Sequence, residues 1–479
     1  MSLKNKAIRG VAWSVLDKLI NQLGFICVTL YLAKVIGPEA FGLVGMLTIF
    51  MLLAESVVNN GFSQALVQRS HSLTEADSST IFYVSLLWSV AIYAVLYTAA
   101  PLIANFYQEP ELVQISRLLF VIIIINSLTV VARAKLIIRV DFKSQGIATF
   151  VATLISSAVA IYLASKSYGY WAFVWLLLIK ALLQNIGFWF FCRWLPKLRF
   201  SRDSFKSLFK FGSNLMLAGF ISTLVNNLYV AMIGRYFNAT SVGYFTQATN
   251  LTNLLVQLIS STLQGVTYPL LTSIKEQQDR LVSLYRQLIA VTMLVSLPAL
   301  VGFSAVADSF VLFFMGEEWG PAIPIIQVLC FARAITPISS INMNILNAVG
   351  RSDLFLKVDL SKLPMTVFAL FISIPYGIQA VAWAMLTTSC IAYFINSYYP
   401  GKLYGFGAWS QLKVAKNYIF SATIMFLVVH HVDFDKVLVD LILSTLLGMV
   451  IYFGLLAILK DAMFRKIFLE IKGELKVRC

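Results

Sequence analysis

The side chains with chemistry to offer lie inside apolar sequence. Asp17, Lys18, Glu55, Lys180 and Arg333 are each embedded in runs dominated by Leu, Ile, Val and Phe. A charge at the centre of such a run costs at least about 2.5–3.5 kcal/mol in a bilayer, so each needs a partner or a task. Lys180 and Arg333 are the deepest cations; either could attract a substrate phosphate or pair with a buried acid. Lys18 lies nearer a helix end, from which its stem can reach the interface. Asp17 and Glu55 are the deepest acids. They could take up a coupling proton or sodium ion, or only neutralise Lys18 and each other's surroundings.

Amides and hydroxyls recur at helical steps. Thr246, Asn250, Asn253, Gln257, Ser260 and Gln264 fall on one side of a helix. Arg333, Ser340, Asn344 and Asn347 form a second set, and Trp13, Asp17 and Asn21 share a face with Gly24. Glu55, Asn59 and Ser63 follow, then Asn214, Asn226 and Asn227. One or two such residues per helix act as glue, each contributing roughly 0.6–2 kcal/mol. Six on one face exceed that need and predict a hydrated cavity. Its amides and hydroxyls suit sugar hydroxyls, which need both donors and acceptors.

Catalysis finds no support. His71, His430 and His431 are the only histidines, and none is placed to work with a buried carboxylate or serine. A GxxxxGK[ST] phosphate loop is missing, so nucleotide hydrolysis is not expected. The five cysteines have neither CxxC nor metal-ligand spacing. The sequence implies no cofactor and no metal.

The elements that position these groups follow from composition. The chain is 59% hydrophobic and only 12% charged, with a mean hydropathy of +0.81. A soluble domain carries about 25% charged residues, so the apolar excess faces lipid. The net charge of +15 does not point to nucleic acid, because no basic face survives between the apolar runs. A spanning helix needs about 20 mostly apolar residues. Spans are expected near 11–34, 40–63, 80–104, 113–134, 146–165 and 170–192, and after a basic stretch near 211–234, 243–270, 287–313, 322–348, 358–375, 378–398, 416–431 and 437–459. The expected fold is all-α, with about fourteen membrane helices.

Sidedness follows from the cations. The connections on one side, both tails included, hold 29 Lys and Arg, against four on the other (Lys34, Lys166, Arg235 and Lys436). The positive-inside rule then places both termini in the cytoplasm. The basic start at Lys4, Lys6 and Arg9 leads into a run holding Asp17, Lys18, Asn21 and Gln22, which reads as a retained first helix. Two basic amphipathic segments are expected at the interface: Phe200, Phe205, Leu208 and Phe209 among Arg199, Arg202, Lys206 and Lys210, and Phe464, Ile467, Phe468, Ile471 and Leu475 beside Arg465, Lys466, Lys472 and Lys476. Membrane lipids are their expected partners.

The halves echo each other. Lys34-Val-Ile-Gly37-Pro-Glu-Ala-Phe41-Gly42-Leu43 aligns with Arg235-Tyr-Phe-Asn238-Ala-Thr-Ser-Val242-Gly243-Tyr244, and Phe106-Tyr-Gln-Glu109 with Phe314-Met-Gly-Glu317. Parallel repeats with a substrate between them are a common transporter plan. The expected organisation is an N-lobe over 1–192, a basic linker over 193–210, a C-lobe over 211–398, accessory helices over 399–459 and a basic tail over 460–479.

Three stretches carry a family likeness: Ser2-Leu3-Lys4-Asn5-Lys6-Ala7 through Gly10-Val-Ala-Trp13-Ser14, then Leu32-Ala33-Lys34-Val-Ile-Gly37-Pro38-Glu39-Ala40-Phe41-Gly42-Leu-Val-Gly45-Met46, then Asn60-Gly61-Phe62-Ser63-Gln64-Ala65-Leu66-Val67-Gln68. They resemble the Wzx-like polysaccharide flippases, in particular the colanic-acid-exporter-like subgroup of the multidrug, oligosaccharidyl-lipid and polysaccharide exporter superfamily. Phe211-Gly212 and Gly243-Tyr244 continue the likeness in the second half. The resemblance implies two six-helix lobes related by a pseudo-two-fold repeat, two further C-terminal helices and a V-shaped central cavity lined by helices one, two, seven and eight. It implies transport of an oligosaccharide repeat unit on undecaprenyl diphosphate from the cytoplasmic to the periplasmic leaflet of a bacterial inner membrane. A polysaccharide polymerase and chain-length machinery would be neighbours in that process.

On this reading the cavity is lined by Asn21, Asn59, Asn226, Asn250, Asn253, Gln257, Gln264 and Asn344. Lys180, Arg333 and Lys18 would meet the diphosphate, and Asp17 and Glu55 a coupling H+ or Na+. Relatives usually have a cationic lumen, whereas amides dominate here. The alternatives are a cation-coupled exporter of drugs or metabolites in the same superfamily, and a membrane glycosyltransferase or polymerase. The latter would want large outer loops, and these are short.

Overall fold

The computed structural model describes residues 3–60, 63, 66–67, 69, 73–274 and 276–469; side chains are described from residue 21, except at 59–60, 207–208, 210–212, 214–215, 218, 261–266, 268–269, 272–273 and 352. The side chains of Trp13, Asp17, Lys18, Asn59, Asn214 and Gln264, and all of His71 and residues 470–479, lie outside that set. Helices account for every regular element among the described residues. Backbone in lipid must satisfy its own hydrogen bonds, which the helix does within one segment. Among the described residues, ten helical stretches are long and apolar enough to cross a membrane.

The chain divides into two compact units, 1–246 and 247–479. The first opens with α1 (Leu3–Glu55), which bends at Gly37, where φ is 75° and Pro38 follows. Thus the first two expected spans form one element broken by the Gly-Pro pair. A five-residue π-helix (Ser56–Asn60) continues from Glu55. Then come α2 (Glu75–Tyr107), α3 (Leu112–Leu119), α4 (Val121–Ile138), α5 (Phe142–Ser165), α6 (Tyr170–Cys192) and α7 (Arg202–Tyr236). The next helix, α8 (Ala239–Ser273), begins in this unit.

Small residues set the helix spacing in this unit. Ala148, Ala152, Ser156, Ala160 and Ala164 form a buried stripe on α5, and a Cβ on Gly187 of α6 would stand 2.6 Å from the Ala148 methyl. Without such residues the helices could not approach this closely. The opposite face of α5 carries large exposed apolar residues such as Leu154 and Tyr162, suited to lipid.

The aligned glycines of the repeat meet one another. A Cβ on Gly42 would fall 1.6 Å from the Ala239 carbonyl oxygen, and one on Gly243 2.0 Å from that of Pro38. The backbones of α1 and α8 therefore touch where only hydrogen fits. The other repeat pair also matches in conformation: Gln108 and Gly316, both just past a helix end, have φ of 60° and 92°.

The connection after α6 is tied down. Trp194 Nε1 donates to Glu75 Oε2 at 2.8 Å, Lys197 N to Ser79 Oγ at 3.1 Å, and Ser201 N to Thr80 Oγ1 at 3.0 Å. Lys135 pairs with Glu75 at 3.1 Å and lies over the Trp194 ring. Helix α7 starts one residue later, and its Phe205 and Phe209 pack on the core built by Ile81, Val131, Phe188 and Trp194. The apolar face expected to rest on lipid headgroups is thus partly covered by protein.

The second unit holds α9 (Gln278–Ala305), α10 (Ala307–Phe314), α11 (Ile323–Ala334), α12 (Thr336–Ala348), α13 (Ser352–Ser361), α14 (Leu363–Ser373), α15 (Ile378–Tyr404), α16 (Ala408–His431) and α17 (Val437–Ile458). Prolines near the starts of α11, α12 and α14 occupy first-turn positions, where no N–H is required. The core runs along α9, α12, α16 and α17 through Tyr285, Ile289, Met293, Leu346, Tyr418 and Tyr452. A last helical segment covers 462–469. Asp461 caps it, accepting from Met463 N and Phe464 N at 3.1 and 3.0 Å, and also holds Asn417 and Tyr418. Its Phe464 and Ile467 lie on the core, while Phe468 is exposed.

Candidate functional site

In the first unit, the end of α1, α4 and α6 surround a cavity of about 360 Å³ lined by Glu55, Ser63, Asn126, Thr129, Arg133 and Gln184 with Val130, Ile137, Ala181 and Phe188. Local sequence explains the convergence. On α4, Asn126, Thr129, Arg133 and Ile137 are three or four residues apart and share a face; Ala181, Gln184 and Phe188 do the same on α6. Glu55 is the last residue of α1, where the π-helix begins. The wider turn is a local departure from α geometry of a kind frequent at functional sites.

The hydrogen bonds hold the wall but leave groups open. Asn126 Nδ2 donates to Glu55 Oε1, Thr129 Oγ1 donates to the Asn126 carbonyl at 2.6 Å, and Gln184 Nε2 donates to Thr149 Oγ1 at 3.1 Å. Behind them Asn185 and Trp189 of α6 donate to the carbonyls of Ile125 and Leu128 at 2.7 and 3.0 Å, fixing α6 against α4. Arg133 lies within electrostatic reach of Glu55, yet the two form no direct ion pair. Among the described residues, the Arg133 guanidinium and Glu55 Oε2 make no hydrogen bond. One guanidinium, one carboxyl group, two amides, two hydroxyls and the buried Phe188 ring thus face a common space. The set can bind; it holds no nucleophile paired with a base.

The remaining expected site residues are spread over several helices. Asn21 is buried in α1. Asn226 of α7 is exposed, its Nδ2 donating to Ser222 Oγ at 3.3 Å. On α8, Asn250 and Gln257 are exposed and Asn253 is half-buried. Asn344 of α12 is half-buried, with a buried Nδ2 that has no hydrogen-bond partner among the described residues. Lys180 of α6 rests its ammonium 3.7 Å above the Phe25 ring of α1. Arg333 is half-buried in the last turn of α11. Of the expected site residues whose side chains are described, only Glu55 lines the cavity.

A profile of the family described as polysaccharide biosynthesis protein (Polysacc_synt_3) matches residues 31–324, more than half of the chain. The chain belongs to this family. Every residue lining the cavity falls inside the matched stretch. Among named relatives of this polysaccharide biosynthesis protein, the teichuronic acid biosynthesis protein TuaB of Bacillus subtilis (strain 168) is 26% identical over 354 residues, 72% of each chain. The lipopolysaccharide biosynthesis protein WzxC of Escherichia coli (strain K12) is 24% identical over 385 residues, 78% of this chain and 75% of WzxC. The fold is that of the lipid II flippase MurJ in its inward closed conformation, with a TM-score of 0.76 at 17% identity over 96% of this chain and 100% of MurJ. This family member is accordingly an all-α, multi-pass membrane protein.

Asn126, Arg133 and Gln184 were not among the residues expected from sequence. The signal was available: Asn126, Thr129 and Arg133 have helical spacing. It was hidden because Arg133, at the expected end of the fourth span near residue 134, counts with the cations of the following connection. Helix α4 instead runs on to Ile138.

Proposed function

We propose that this polysaccharide biosynthesis protein is a flippase. It carries oligosaccharide repeat units on undecaprenyl diphosphate from the cytoplasmic to the periplasmic leaflet of a bacterial inner membrane, for exopolysaccharide, capsule or O-antigen synthesis. The observation that carries this reading is the family match on a chain that shares nearly all of its fold with a protein named as a lipid II flippase. Both termini lie in the cytoplasm, supported by the 29-to-4 distribution of cations. Transport proceeds by alternating access of two six-helix lobes, at 1–192 and 211–398, without chemistry on the substrate.

The amides of α7, α8 and α12 meet the sugar chain, and Lys180, Arg333 and Lys18 attract the diphosphate. Asp17 is the better candidate for a coupling proton or sodium ion, because a cation at Glu55 would face Arg133. The product is handed to a polymerase and its chain-length machinery. Deleting the gene in its host tests the reading. Surface polymer should vanish while lipid-linked repeat units accumulate on the cytoplasmic side. Intact polymer in the deletion strain, with altered tolerance to small toxic cations, would reassign the protein to drug export.

A further inference from the structure

The cavity between α1, α4 and α6 has a chemistry of its own. Its two ionisable side chains, Glu55 and Arg133, carry opposite signs when both are charged, and the space is then close to electroneutral. A diphosphate placed there would meet a carboxylate, and a lone cation would meet a guanidinium. Each pays for its attraction with a repulsion of similar size, and neither is selected. A neutral polyol gains from both. A carboxylate oxygen accepts from one hydroxyl, and a guanidinium donates to the oxygens of its neighbours in a planar fork.

The geometry repeats that argument. Asn126 ties down one Glu55 oxygen, leaving the other to accept. Thr149 takes the Gln184 amide nitrogen and leaves its carbonyl side open. Arg133 is exposed to the cavity without a hydrogen bond among the described residues. Phe188 supplies an apolar ring in the wall. The volume, about 360 Å³, falls at the small end of ligand sites, which span about 300–1,000 Å³.

We infer that this cavity is a recognition subsite for one sugar of the repeat unit, read through adjacent hydroxyls by Glu55 and Arg133 and separate from the groups that hold the diphosphate. The inference rests on the flippase reading for its substrate class and adds a place where sugar identity is checked. Arg133 and Glu55 are then specificity residues. Variation of this pair among family members would change which repeat units are carried.

The test uses the full-length protein in nanodiscs. The probe is the free glycan released by mild acid from the host's own polyprenyl-diphosphate repeat unit, titrated beside inorganic pyrophosphate and tetraphenylphosphonium. Wild type should bind the glycan saturably. Arg133→Gln and Glu55→Gln should each weaken it about ten-fold or more, with pyrophosphate binding unchanged. Gln at 55 still accepts from Asn126, and residue 133 is exposed, so the unfolding midpoint should not move. Glycan affinity equal to wild type in both variants would overturn the assignment. So would a wild type that ignores the glycan, or variants that lose pyrophosphate or cation binding instead. Export in the deletion strain separates the two levels. Intact polymer after deletion removes the flippase reading itself. Lost polymer that both variants fully restore, with unchanged glycan affinity, removes only the subsite.

Discussion

The two units each bury a cluster of amide and hydroxyl groups, and the clusters differ in how completely they are satisfied. In the second unit, Tyr285 of α9, Asn342 of α12 and Gln411 of α16 close on themselves. Tyr285 Oη donates to Asn342 Oδ1 at 2.5 Å, Asn342 Nδ2 to Gln411 Oε1 at 3.2 Å, and Gln411 Nε2 reaches Tyr285 Oη, Asn342 Oδ1 and the Phe406 carbonyl at 3.0–3.1 Å. All three residues are fully buried. In the first unit, Glu55, Asn126, Arg133 and Gln184 stand around open space with donors and acceptors to spare. The same side-chain types thus serve opposite ends. A polar cluster that answers its own hydrogen bonds fastens helices, and one that leaves them open keeps donors and acceptors available to a ligand.

Opening the closed cluster should produce the largest change in stability. Gln411→Leu strands the Asn342 amide and the Phe406 carbonyl in a dry core, and each buried group without a partner costs about 1–3 kcal/mol. We expect a loss of about 2–4 kcal/mol, read as a lower unfolding midpoint in detergent. The triple variant Tyr285→Phe, Asn342→Leu and Gln411→Leu removes the stranded side-chain groups, leaving only the Phe406 carbonyl, and should recover part of the loss. If the single variant unfolds like wild type, the cluster is not a fastener and the contrast between the units fails.

That contrast was only partly legible in the sequence. Periodic polarity found the α8 stripe, where Asn250 and Gln257 prove exposed and Asn253 and Ser260 half-buried. It also found Glu55. It missed the fastener entirely, because Tyr285, Asn342 and Gln411 stand 57 to 126 residues apart on three helices. No local period announces a contact made by three helices. The helical architecture was easier to read, since lipid imposes long apolar segments. The repeat motif was legible as letters, but its reason was not: Gly42 and Gly243 recur because backbone meets backbone there.

This crossing supplies the next test. The first unit gains from glycine a tightness that the second gains from amides. Gly42→Ala places a methyl 1.6 Å from the Ala239 carbonyl oxygen, so α1 and α8 must part. Overpacking of this kind costs about 1–3 kcal/mol. Gly24→Ala is the control on the same helix, because a Cβ there would meet nothing within 4 Å. Equal unfolding midpoints for the two variants would show that the crossing carries no strain and that the first unit is held elsewhere.

The smallest expected effect lies between α2 and α3, outside the spanning segments, where Glu109 sits near Glu39 and Glu111. Burial raises its pKa above the ordinary 4.5, the two neighbouring carboxylates push the same way, and a hydrogen bond from the Ala239 N–H opposes them. A carboxyl whose folded pKa is raised is favoured in its protonated form. Its contribution to stability is therefore present below the unfolded pKa and lost as pH rises through the folded value. Glu109→Gln keeps an acceptor for Ala239 and removes the charge. At pH 7 the variant should unfold about a degree above wild type, and at pH 4 or below the two should coincide. The polar groups of this helix end would then be, like those of the cavity, incompletely compensated, here through charge repulsion. A variant that is less stable than wild type at pH 7, or shifted equally at both pH values, would show that the Glu109 carboxylate is held by favourable contacts and belongs with the fasteners instead.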